Sequence, residues 1–153
     1  MEHKPLPMLA NIGADVIFKK DDKILLLQRS ATNKNPGQYT FVGGKSDAGE
    51  SITDTAIREA FEEVGVRIQP KDLQFIHVIQ KIMPRNAHNK DWFFFIFVVD
   101  TWQGELYNKE PQKHSQMAWF SLNDLPKGLG ETHRQAIIQW QNKQYCSVFK
   151  LNS

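Results

Sequence analysis

The sequence predicts an α/β fold in which a mixed β-sheet is held between two helices. Three observations lead there. Two stretches with helical periodicity, residues 52–64 and 132–142, are separated by runs rich in β-branched and aromatic residues. The run Trp92–Val99 is continuous and aromatic, as expected of a strand covered on both faces. The chain has 153 residues, 41% hydrophobic and 24% charged, which suits one domain with a sizeable core.

In chain order, residues 1–7 form a lead-in without the apolar core of a signal peptide. Met8–Phe18 reads as a strand, Lys19–Lys23 as a charged turn and Ile24–Gln28 as a second strand, together a hairpin. Arg29 stands at the strand exit, either as a solvated end or as a phosphate contact. Ser30–Gln38 is a polar loop that would border a substrate, and Tyr39–Val42 is a short strand. The glycine pair Gly43-Gly44 follows, where a loop backbone can approach a ligand closely.

The first helix has Ser51 as N-cap, Ile52, Ala56, Ala60 and Val64 at every fourth position, and Gly65 as stop. Asp72–Lys81 reads as a strand and Met83–Lys90 as a loop. His77 and His88 have no evident partner and are assigned no chemistry. Trp102–His114 is a polar loop and Met117–Leu122 a strand. The last helix packs Ala136, Ile137 and Trp140 on the sheet, with His133 expected in solvent. The tail from 143 to 153 carries no clear pattern. Cys146 is the sole cysteine, expected as a small, partly buried apolar residue; it excludes an internal disulfide and suits a reducing compartment.

Charge excludes one class of partner. With 19 basic and 17 acidic residues interspersed, the net charge is +2, and no basic stripe argues for a nucleic-acid polymer. The longest apolar run is too short to span a bilayer. A cytoplasmic protein without membrane contact is the expectation.

Chemistry concentrates on the first helix. At about 100° per residue, Glu59, Glu62 and Glu63 fall within an arc of roughly 100°. Glu63 projects close to Ile52 and Ala56, at the margin of the apolar stripe. Like charges three and four apart are mildly destabilising. Crowded carboxylates beside a buried face therefore call for something positive, either Arg58 or a divalent cation such as Mg2+, which takes oxygen ligands and binds together with substrate phosphates. A solvated acidic face is the plainer reading of such a run in isolation.

The spacing favours the metal. Gly44, five residues, Glu50, seven residues, Arg58-Glu59, Ala60, Phe61, Glu62-Glu63, Val64, Gly65 and Val66 match the Nudix box at every defined position, across 44–66. The chain resembles a Nudix hydrolase of the MutT-like type, and the resemblance extends over about residues 8–142. It implies an α/β/α sandwich with a central mixed sheet, in a single domain over 1–153. It also implies hydrolysis of a nucleoside diphosphate linked to another group. Tryptophan-x-glycine at Trp102–Gly104 and the run Asn108–Lys113 with Trp119-Phe120 are similar to members that act on nucleoside triphosphates. Val42 stands where proline is common in the family.

The same resemblance assigns roles. Glu59, Glu62 and Glu63 would hold Mg2+, or Mn2+ in its place, with help from the Gly43 carbonyl and Glu110. The general base would be Glu59 or Glu110. Arg58 would orient the glutamates, Glu50 would tie the loop to the helix, and Arg29 and Lys45 would meet phosphate, although Lys45 reads equally well as a surface lysine. The implied substrate is a (deoxy)nucleoside triphosphate, including oxidised forms such as 8-oxo-dGTP. ADP-ribose, a dinucleotide polyphosphate, or a non-catalytic nucleotide sensor are the alternatives. A monomer or a homodimer is compatible with all of these.

Overall fold

The computed structural model describes residues 4, 5, 7–86 and 89–151. In chain order the strands are β1 (Ala10–Lys20), β2 (Lys23–Arg29), β3 (Tyr39–Thr40), β4 (Val42–Lys45), β5 (Gln74–Ile82), β6 (Asp91–Val99), β7 (His114–Ser121) and β8 (Cys146–Lys150). The helices are α1 (Ile52–Val64) and α2 (Glu131–Gln141). His88 lies outside the described residues.

β1 organises the sheet. Over Ala10–Phe18 it runs parallel to β6, and over Gly13–Val16 it pairs antiparallel with β4 on its other edge. Its last two residues turn away to pair with β2. β2 in turn pairs with β3 and β7. β6 continues through antiparallel β5 to parallel β8. The sheet is therefore mixed, and the bend in β1 separates two halves.

Alternation along β1 feeds two cores. Ala14, Val16 and Phe18 face α1, where Ala56, Ala60 and Val64 are fully buried. Ile17 faces the other side with Ile79, Ile96 and Val98, covered by Ala136 and Ile137 of α2. Each fully buried large side chain here contributes ~1.5–3 kcal/mol. The helices thus stand on opposite faces, an α/β/α sandwich as the sequence predicts.

Several expectations need correction. The glycine pair lies in strand β4, not in a loop. The first half of the aromatic run, Trp92 to Phe95, is only half-buried, although Phe94 and Phe95 pack against the edges of the two cores. The tail forms β8, whose side chains are alternately exposed, and Cys146 on it is exposed rather than partly buried. His77, fully buried, bonds through its ring nitrogens to the Gln144 carbonyl and the Ser147 hydroxyl, both 2.8 Å away, and so fastens β8 to β5.

Candidate active site

The site begins with the start of α1. Ser51 accepts from the Asp54 N–H and caps the helix. Beside it, Glu50 accepts from the Thr55 hydroxyl at 2.7 Å and the Asp47 N–H at 3.0 Å. The Arg58 guanidinium grips both Glu50 oxygens, at 2.8 and 3.0 Å. These bonds, Arg58 foremost, hold the Glu50 carboxyl down at about 2. Arg58 also donates to Glu59 at 2.8 Å, to Glu62 at 3.3 Å and to the Lys45 carbonyl at 3.1 Å. One planar fork thus joins the loop, β4 and the acidic face of α1.

The glycines of β4 are required by how closely this helix approaches the strand. A side chain on Gly44 would collide with the Glu59 carboxylate, and one on Gly43 with Asp15 and the β1 backbone. The Gly43 N–H instead donates to Glu63 Oε1 at 2.8 Å. The second Glu63 oxygen lies 3.3 Å from His114 Nε2.

Glu110 arrives on the loop between β6 and β7. The loop is pinned to the end of α1, where the Tyr107 N–H donates to the Val64 carbonyl and the Lys109 N–H to the Glu63 carbonyl. Glu110 pairs with Lys113 at 3.0 Å.

These groups face one cleft of about 530 Å³, together with Arg29, Lys45, Lys81, Trp92, Phe94 and His133. Of the residues singled out in the sequence, Glu59, Glu63, Glu110, Gly43, Arg29 and Lys45 are brought together there. Arg58 stands behind them. Glu62 is outside the cleft lining and exposed, held to Arg58 from the solvent side. His133 was expected in solvent; instead it packs edge-on against Phe41 with its ring Nδ1 buried.

Asp15 and His114 are among the cleft residues that escaped sequence reading. Asp15 is the lone acid inside an apolar strand, and that isolation was the available signal. His114 is buried at the start of β7, and nothing in its neighbours in sequence marks it.

The electrostatics are those of a site short of positive charge. Burial, then Glu59, pushes Asp15 up to about 7, against the pull of Arg29. Burial likewise raises Glu59, opposed by Arg58. Glu63 is raised well above the carboxylate range by burial, and further by Glu59, Glu110 and Asp15. Burial lowers His114, which keeps its imidazole neutral.

The donor set is all oxygen, and its members destabilise one another's charge, which fits a hard divalent cation. Among the described residues no three His, Cys, Asp or Glu side chains converge as a preformed metal cage. Mg2+ does not require one, since it retains waters and shares substrate phosphates.

A mixed sheet between two helices, with this arginine-locked acidic helix edging the cleft, is the architecture of one class of phosphoanhydride hydrolase. The NUDIX domain model matches residues 10–141, and the chain belongs to the Nudix hydrolases, whose members are pyrophosphohydrolases. It is 31% identical over 134 residues to an ADP-ribose pyrophosphatase of Methanocaldococcus jannaschii, covering 86% of this chain and 75% of that one. It is 30% identical over 117 residues to the 8-oxo-dGTP diphosphatase of Escherichia coli, covering 75% and 86%. The crystal structure of a MutT NUDIX hydrolase from Burkholderia pseudomallei superposes with a TM-score of 0.75 at 27% identity, over 86% of this chain and 98% of that one. Nudix hydrolases generally act with divalent metal ions. Among the described residues no helix is long and apolar enough to cross a membrane.

Proposed function

We propose that this protein cleaves (deoxy)nucleoside triphosphates, oxidised ones such as 8-oxo-dGTP included, to the monophosphate and pyrophosphate with Mg2+. The observation that carries the reading is that Glu59, Glu63 and Glu110 line one cleft together with Arg29. Glu59, Glu63 and Glu110 would hold the metal with the Gly43 carbonyl, and Glu62 would join from the solvent edge; Mn2+ would substitute for Mg2+. When bound, the metal neutralises anhydride oxygens and acidifies water.

The residues of the chain do the rest. Arg29, with its buried Nε unpartnered, donates to a substrate phosphate, and Lys45 at the cleft mouth adds positive charge. Glu59 or Glu110 takes the proton of the attacking water as the anhydride bond breaks and pyrophosphate departs. Burial, which raises the proton affinity of Glu59, favours Glu59 as that base. Arg58 holds Glu59 in place and does not touch substrate.

ADP-ribose is the second reading, on the likeness to the Methanocaldococcus jannaschii enzyme. Dinucleotide polyphosphates stand behind it. A sensor without catalysis is disfavoured by the complete acidic set.

The test is chromatographic product analysis with Mg2+ and a panel of triphosphates, oxidised nucleotides, ADP-ribose, dinucleoside polyphosphates and coenzyme A. One triphosphate should yield monophosphate and pyrophosphate, and Glu63→Gln should lower turnover by orders of magnitude with the fold intact. Preferred cleavage of ADP-ribose would replace the substrate reading. Near-normal turnover in Glu63→Gln would sink the metal assignment.

A further inference from the structure

The cleft has a second end, away from the carboxylates. In the paired strands, Asp15 stands beside Ile96 of β6, while Lys81 of β5 stands beside Trp92. Four residues along a strand separate these rows by ~13 Å. The intervening floor is Ile79 and Phe94, with Trp92 stacked against Phe94 at 5.1 Å between ring centres. An acidic end, an apolar and aromatic middle and a cationic end thus follow one another along the same cleft.

Lys81 is half-buried, and among the described residues no carboxylate or other acceptor pairs with its ammonium. Burial and the nearby Arg29 both disfavour its charge, and no carboxylate contributes; Lys113, by contrast, is held charged by Glu110 and feels Glu63 and Glu59 as well. Along the strands, the row of Lys81 stands four residues from the row of Asp15. At the same end, His133, held neutral by burial and by the nearby Arg29 and Lys81, keeps a buried Nδ1 without a partner, and α2 starts at Gly130 with no side chain capping its first-turn N–H groups, the exposed Glu131 being the one acid of that turn. An unpaired ammonium, half-buried beside an uncapped helix N-terminus, is unfavourable in an empty cleft and favourable around an anion.

We infer that Lys81, with His133 and the start of α2, forms a subsite for a second phosphate carried by the substrate's nucleoside, beyond the scissile anhydride. A nucleotide whose anhydride lies at Glu59 and Glu63 and whose rings rest over Phe94 and Trp92 brings a phosphate on its ribose within reach of the long lysine side chain. This rests on the hydrolase reading of the same cleft and goes beyond it: among nucleotides with the same anhydride, one that also carries a ribose phosphate binds more tightly than one that does not.

The test uses ligands that lack an anhydride, in the absence of metal, so that failure of hydrolysis and failure of the subsite are told apart. Calorimetric binding of adenosine 5′-monophosphate is compared with that of its 2′,5′- and 3′,5′-bisphosphates. At least one bisphosphate should bind about tenfold tighter to the wild type. Lys81→Met should abolish that gain, and Lys81→Arg should keep it. With metal, the ratio of kcat/KM for NADPH over NADH, which differ only in a ribose phosphate, should fall toward one in Lys81→Met. Bisphosphates that bind no better than the monophosphate would overturn the inference, as would a gain that survives Lys81→Met. Should Lys81→Met not fold, the wild-type comparison decides alone.

Discussion

Asp15 and Glu50 show how one chemical group, the carboxyl, takes opposite roles around one helix. Glu50 is satisfied by Arg58, Thr55 and the Asp47 N–H, so its charge is stabilised in the folded protein. Asp15 is buried against Gly43 and Glu59, so its charge is opposed and its carboxyl rises to about 7. The raised group stabilises the fold fully below its unfolded value of 3.8, and that contribution is lost as pH climbs through about 7. Without metal, the melting temperature should therefore fall between pH 4 and 7. The Asp15 share is on the order of 4 kcal/mol. Asp15→Asn should flatten the profile, leaving the slope that Glu59 and Glu63 add in the same direction. Thermal melts in EDTA across that range check this, and an unchanged slope would contradict it. Glu50 acts oppositely, its support fading only as pH falls from 4.5 toward about 2.

α1 couples its own end to the loop that brings Glu110. Gly65 closes the helix with φ 74° and donates to the Phe61 carbonyl, and the Tyr107 ring fills the space a side chain would need. Gly65→Ala should lower stability by ~2 kcal/mol or more, through left-handed strain plus displacement of Tyr107. Because Tyr107 anchors the Glu110 loop, turnover should fall as well; chemical denaturation and a rate assay read the two effects. β8 gives the contrasting case. His77→Leu would strip Ser147 and the Gln144 carbonyl of their partner and should cost about 1–3 kcal/mol. Its turnover at a temperature where it is folded should match wild type, because His77 is absent from the cleft lining.

The whole molecule makes the cleft by bending β1 between two sheet halves, so that α1 delivers acids while β2 and β5 deliver Arg29 and Lys81. The folded state gathers negative charge that the unfolded chain disperses. A divalent cation should accordingly bind the native state selectively. Millimolar Mg2+ should raise the melting temperature at pH 8, by an amount that grows with the logarithm of concentration, and Glu63→Gln should reduce the shift. Equal shifts in both proteins would place the cation elsewhere.

The helix α1 with its cap and stop, the strand order along the chain and the acidic set were legible in the sequence, because their signals are local. Periodicity, a capping serine, a closing glycine and a fixed spacing of charges all act within a few turns. Register and long-range packing decided what remained. Asp15 became part of the cleft because β4 lies beside it, and His114 because β7 brings it to Glu63 from a third of the chain away in sequence. The need for Gly43 and Gly44 came from the carboxylates pressed against them, not from a ligand. The tail became a strand because β5 offered an open edge and His77 two bonds. A side chain's partners across the fold depend on which strands pair, and pairing is a property of the whole chain.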